Sequence, residues 1–179
     1  SVSIALAVAQ PFNPAHCPEF DGRLFWCASL LRAECADRLA GSADVSHTAR
    51  TGGLLSLMGL LWLADSLPVE TGRALSQAQD VDRVSLNAAL QSHSGFGYDE
   101  AGYVLAEQWR LPLVLVESIR SQYELGLLKE AGEAPKAVAA SAVCARAALG
   151  QRELLNQDDA MTAWALGEYS DIAQAYQHA

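Results

Sequence analysis

Apolar residues recur at intervals of three and four along most of the chain, and no segment alternates convincingly, so the pattern predicts helices throughout. Ser1–Gln10 is apolar and ends at Pro11, and Pro14 and Pro18 keep the next stretch out of helix. A helix is predicted over Asp21–Ala40, with Leu24, Ala28, Leu31, Cys35 and Leu39 on its buried stripe and Arg32, Asp37 and Arg38 off it. Gly41-Ser42 stops it. A second long helix covers Val45–Asp65, apolar nearly all round from Leu54 to Leu63 as a central helix would be, and Pro68 closes it.

Further helices are predicted over Asp80–Ser92, with Val81, Val84, Leu86 and Leu90 buried, and over Tyr98–Arg110, after a turn marked by Gly95 and Gly97. Pro112 then suits the first position of a helix running to about Lys129. An Ala-rich helix spans Lys136–Leu149, and two short ones lie near Asp158–Ala165 and Glu168–Gln177. Without an internal repeat or a low-complexity linker, the expectation is a single compact all-α domain over residues 1–179.

Composition narrows the function classes. The chain is 51% hydrophobic and 18% charged, which is globular rather than disordered. Its net charge of −9 opposes nucleic-acid binding, because phosphates must be neutralised by a basic surface and here Arg32, Arg38 and Arg50 stand isolated. The longest apolar stretch, Leu54–Ala64, is too short to cross a bilayer, and Ser1–Ala9 lacks the basic start of a signal peptide. Cys17, Cys27, Cys35 and Cys144 form no CxxC pair; Cys27 and Cys35 read as buried helical thiols, and a reduced, cytoplasmic chain is expected. The chain opens without Met inside a helical pattern, so an N-terminal portion is expected to be missing.

Familiar catalytic motifs are absent: the sequence has no GxxxxGK[ST] loop, no GxSxG elbow and no GxGxxG opening a helix after a strand. His16, His47, His93 and His178 show no i, i+3 or i+4 spacing, so they do not compose a helical metal site, and His93 reads as a solvated or structural residue. The pairs Asp80/Asp82, Asp99/Glu100 and Asp158/Asp159 lie at predicted helix starts, where the helix dipole stabilises negative charge.

Three ordered segments resemble the HDOD family, relatives of the HD metal-dependent phosphohydrolases. Phe25-Trp26-Cys27-Ala28-Ser29-Leu30 is similar to the family's "FW..SL" helix, and Met58-Gly59-Leu60-Leu61-Trp62-Leu63 to its "aGLLHDiG" helix. Glu100-Ala101-Gly102-Tyr103-Val104-Leu105-Ala106-Glu107-Gln108-Trp109-Arg110-Leu111-Pro112, with Val116-Glu117-Ser118-Ile119-Arg120 after it, resembles a third segment shared by HD-like and HDOD proteins. Order and spacing agree over about Leu24–Leu125. The resemblance implies an HD-like helical bundle whose N-terminal half is missing, Ser1–Phe12 being similar to that half's last helix; an apolar face so left uncovered would call for a partner or self-association.

An HD phosphohydrolase needs His and Asp side chains converging on metal. By resemblance, Ala28 stands where a metal-binding His would be, and Trp62-Leu63 replace the His-Asp pair. Tyr98 and Gln122-Tyr123 fall where further histidines are common. Ala, Trp and Leu offer a divalent cation no lone pair, so neither a metal nor another cofactor is expected. The resemblance thus implies a non-enzymatic signalling or regulatory domain that binds protein partners or itself in bacterial signal transduction. A residual phosphohydrolase or nucleotide-binding protein using His93 with Asp99, and a purely structural oligomerisation module, are the alternatives. A groove lined by Trp62, Tyr98, Gln122 and Tyr123 is the candidate contact region, although Trp62 in so apolar a helix also reads simply as core.

Overall fold

The computed structural model describes residues 12–79, 85–149 and 160–170, and the described residues are all-α, with no strand among them. After a 3₁₀ turn at Pro14–His16 comes helix α1 (Gly22–Leu39). Asp21 caps it, its carboxylate accepting from the backbone N–H groups of Arg23 (2.8 Å) and Leu24 (3.0 Å). Helices α2 (Ala43–Leu55), α3 (Met58–Ser66), α4 (Pro68–Gln79), α5 (Leu86–Ser94) and α6 (Tyr98–Gln108) follow. Helix α7 (Leu113–Arg120) passes through a 3₁₀ turn at Ser121–Tyr123 into α8 (Leu125–Glu130), and α9 (Glu133–Ala148) and α10 (Ala160–Glu168) complete the described chain.

Helix α9 packs against α1, α2, α7 and α10, and its buried Ala137, Ala139, Ala140 and Ala142 let those neighbours come close. The main core joins Leu55, Leu63, Leu90 and Ile119 with Phe25 and Tyr98. Each large apolar side chain so buried contributes about 1.5–3 kcal/mol. Helices α3 and α6 cross closely because Gly59 and Gly102 face each other there; a Cβ on Gly59 would collide with the backbone at Tyr98 and Gly102. Among the described residues no helix is long and apolar enough to span a membrane.

Several boundaries differ from the expectation, each for a physical reason. The long helix expected over Val45–Asp65 is broken at Ser56-Leu57 into α2 and α3. Gly53 presses on the backbone of α1 at Arg32 and Ala33, and the Ser56 hydroxyl donates to the Gly53 carbonyl (2.7 Å) instead of facing solvent. Pro68 does end that helix, but it also opens α4, which the hydropathy pattern left unassigned; proline at a first helical position sacrifices no hydrogen bond. Helix α5 starts at Leu86 with Ser85 as its cap, and the expected earlier turn at Asp80–Val84 lies outside the described residues. Gly95 (φ 87°) ends it in the left-handed conformation that favours glycine. Helix α6 closes through Arg110 (φ 52°), with the Leu111 N–H donating to the Ala106 carbonyl (3.0 Å), and α7 stops at Arg120 rather than continuing to Lys129. Ser1–Gln10, Asp158 and the helix expected beyond Ser170 also lie outside the described residues.

The buried face of α1 is rotated from the predicted stripe. Phe25, Ser29, Arg32, Ala33 and Ala36 are buried, whereas Leu24 is 45% exposed and Ala28, Leu31, Cys35 and Leu39 are half-buried. One residue is about 100° of helix rotation, so a single charged side chain assigned to the wrong side moves the whole stripe. The cysteines also depart in detail. Cys27 is exposed rather than buried, Cys17 is buried, and Cys35 and Cys144 hydrogen-bond to each other between α1 and α9.

Candidate functional site

Arg32 is 7% exposed at the middle of α1, and three other parts of the chain converge on its guanidinium. One terminal nitrogen, Nη1, donates to the Ser56 hydroxyl (3.2 Å) at the α2–α3 break and to Gln122 Oε1 (3.0 Å) in the second 3₁₀ turn. The other, Nη2, donates to the hydroxyls of Tyr98 and Tyr123, each at 3.1 Å. The two phenols also hydrogen-bond to one another, with rings set edge-on at 90° and centroids 5.5 Å apart. The Gln122 amide is held in turn, its Nε2 donating to the Ser56 and Ile119 carbonyls, both at 3.0 Å. The break at Ser56 is what frees that carbonyl from helical pairing.

Local sequence explains this convergence. Tyr98 is the first residue of α6, fixed there because the Asn87 side chain accepts from its N–H (2.9 Å) and Glu100 accepts from the N–H of Gly97 (3.0 Å). Gln122 and Tyr123 occupy the 3₁₀ turn that tightens the exit of α7. Every hydrogen-bond acceptor around Arg32 is neutral, and none of the ion pairs among the described residues includes it. Electrostatics follow the geometry. Burial pushes the Tyr98 hydroxyl well above its ordinary pKa, outweighing the pull of Arg32. Burial acts the same way on Tyr123, but there the Arg32 and Arg146 cations outweigh it and hold the hydroxyl below its ordinary value.

Arg32, Tyr98 and Tyr123 lie on the wall of a cleft of about 1170 Å³, which Ala28, Tyr103 and Arg146 also line. Asp99 sits on the same wall, 9% exposed, accepting from the Asn87 amide (2.9 Å). Burial raises its pKa, with the Asn87 hydrogen bond opposing. An acid whose folded pKa is raised favours the folded chain below its ordinary range and costs stability as pH climbs through the folded value. Asp99→Asn should therefore raise the melting temperature at pH 7 more than at pH 4. Thermal melts at the two pH values check this; equal shifts would contradict it.

The structure brings together some of the positions singled out from the sequence and separates others. Tyr98, Gln122 and Tyr123 meet around Arg32, and Ala28 lines the cleft one helical turn before it. Gln122 is fully buried behind the wall rather than lining it. Leu63 is fully buried in the core, Trp62 packs half-buried against that core, and neither reaches the cleft. His93 is exposed elsewhere, its Nε2 2.8 Å from Gln77 Oε1 in a shallow groove shared with His16. Asp99 and Glu100 lie in the first turn of α6, as the dipole argument expected.

No group of three or more His, Cys, Asp and Glu side chains is arranged to hold a metal among the described residues. The residues that do converge do not fit one: a divalent cation beside the Arg32 guanidinium would be repelled, and the acceptors there already serve Arg32. Sequence reasoning missed Arg32. Its signal was the run of apolar and small residues around it at helical spacing, Phe25, Ser29, Ala33 and Ala36, which places an arginine at the centre of a buried face.

The family model described as "HDOD domain" matches residues 1–125. Among solved structures, the MmoQ response regulator of Methylococcus capsulatus str. Bath is 24% identical, with a TM-score of 0.60, over 76% of this chain and 55% of that one. A "putative phosphohydrolase" of Shewanella amazonensis SB2B is 21% identical, with a TM-score of 0.66, over 92% and 58%. An HDOD domain protein of unknown function from Geobacter sulfurreducens is 16% identical, with a TM-score of 0.67, over 90% and 58%. At these identities the structures show a shared fold, and this chain spans little more than half the length of each. No curated protein matches. The match of the family model over most of the chain and the agreement of fold have one conclusion: the chain belongs to the HDOD family.

Proposed function

We propose that this chain is a non-enzymatic regulatory module of bacterial signal transduction, which acts by binding protein partners rather than by metal-dependent hydrolysis. One observation carries the reading. Where the resemblance to HD enzymes calls for histidines, Tyr98, Gln122 and Tyr123 are turned onto the buried cation Arg32. A guanidinium has no lone pair with which to bind metal or activate water. The fold shared with a response regulator supports a signalling context, and the phosphohydrolase name belongs to the Shewanella protein.

The test is metal analysis of purified chain together with a phosphodiesterase assay on a chromogenic diester with added Mn²⁺. The expected result is no stoichiometric metal and no turnover above buffer. Stoichiometric Mn, Fe or Zn, with turnover abolished by His93→Ala, would overturn the reading in favour of a residual phosphohydrolase. Light scattering across concentration beside a pull-down separates self-association from a different partner.

A further inference from the structure

Arg32 carries a full positive charge into the protein interior, and the groups that receive its hydrogen bonds are a serine, a glutamine and two tyrosines. Burying an ion is costly unless an opposite charge accompanies it. The phenols add a proton count. Tyr98 and Tyr123 each accept from Nη2, and together they carry two hydroxyl protons. The hydrogen bond between the two phenols uses one of them, whichever oxygen donates. The other has no acceptor among the hydrogen bonds of the described residues. Tyr98 is 3% exposed and Tyr123 is half-buried, so the spare proton belongs at Tyr123, on the side that opens to the cleft.

We propose that the cleft over Arg32 binds a small oxyanion, the carboxylate or phosphate group of a ligand, which balances the buried guanidinium and accepts the spare hydroxyl proton of Tyr123. The buried guanidinium asks for negative charge, and the Tyr123 hydroxyl offers a donor on the cleft side to the group that brings it. Hydrogen bonds to such an acceptor are roughly twice as strong as neutral ones. Arg146 lines the same cleft and lowers the pKa of Tyr123, so a second cation faces this end of it. Glu19, Asp21, Asp99, Glu100 and Glu124 line the cleft as well. None of them forms an ion pair with Arg32, and their charge disfavours a polyanion, which confines the ligand to one compact anionic group near the guanidinium. The inference goes beyond the regulatory reading and does not depend on it, since an oxyanion site over Arg32 is compatible with either presence or absence of turnover.

The probes are inorganic phosphate and acetate, each titrated against the whole chain by calorimetry and by thermal shift, with chloride at equal ionic strength as control. Saturable binding of phosphate or acetate, with a rise in melting temperature beyond that in chloride, is expected, and the anion that binds names the class. Tyr123→Phe should bind it about tenfold more weakly, the effect of losing one hydrogen bond to a charged group. Arg32→Met should abolish binding, and if that variant does not fold, Tyr123→Phe still decides. Affinity unchanged in Tyr123→Phe, or no saturable binding of either anion to the parent chain, would overturn the proposal.

Discussion

Replacing Gly59 with alanine is expected to destabilise the chain by about 3 kcal/mol or more, the upper end for overpacking. The added Cβ would overlap the Tyr98 carbonyl oxygen and lie 2.5 Å from the Gly102 amide nitrogen and 2.9 Å from the Tyr98 carbonyl carbon. All three are backbone atoms, so no side chain can swing aside; α3 and α6 must separate. Their separation displaces Tyr98, which opens α6 and holds Arg32. One methyl group would thus damage the core and the site together. Gly126→Ala is the control: nothing lies within 4 Å of its added Cβ in α8, and it should gain about 0.4–1 kcal/mol through helix propensity and a less disordered unfolded chain. Urea unfolding compares the two. A loss in Gly59→Ala below about 1 kcal/mol would mean that the crossing is not tight.

The sequence made most of the helices and the family legible, because periodicity and punctuation are local. Pro112, Gly95 and the Ala-rich run from Lys136 ended or began helices near where the structure ends or begins them. What stayed hidden depended on contacts between distant segments. The break at Ser56 follows from the approach of Gly53 to Arg32 and from hydrogen bonds reaching as far as Gln122, which no hydropathy window contains. Helix α4 was missed because Pro68 signals a stop and a start equally well. The burial of Arg32 was missed because an arginine is nearly always solvated, and the exception requires four acceptors supplied from three other places in the chain. Tyr98, Gln122 and Tyr123 could be singled out by resemblance, whereas the reason they belong together could not be read until Arg32 was known to lie between them.

Arg32→Met is the second substitution expected to have a large effect, a loss of about 3 kcal/mol. Four hydrogen bonds from a charged donor would contribute roughly 6–12 kcal/mol if they added independently. Against this stands the penalty for keeping the cation buried, several kcal/mol, which methionine removes. The balance still favours arginine because its partners are buried with it. Gln122 Oε1 would lose its donor while remaining fully buried, and Tyr98 and Tyr123 would be left only with each other. Ser56 suffers least, since its hydroxyl keeps the Gly53 carbonyl. The decisive comparison is therefore not the single substitution alone. Arg32→Met combined with Tyr98→Phe and Tyr123→Phe removes the orphaned hydroxyls as well, while Gln122 stays to serve the Ser56 and Ile119 carbonyls, and should recover much of the lost stability. A combined variant less stable than Arg32→Met by more than about 1 kcal/mol would show that the polar groups stabilise the fold without the arginine. Full recovery would mean that Arg32 and the two phenols are dispensable for folding as a set.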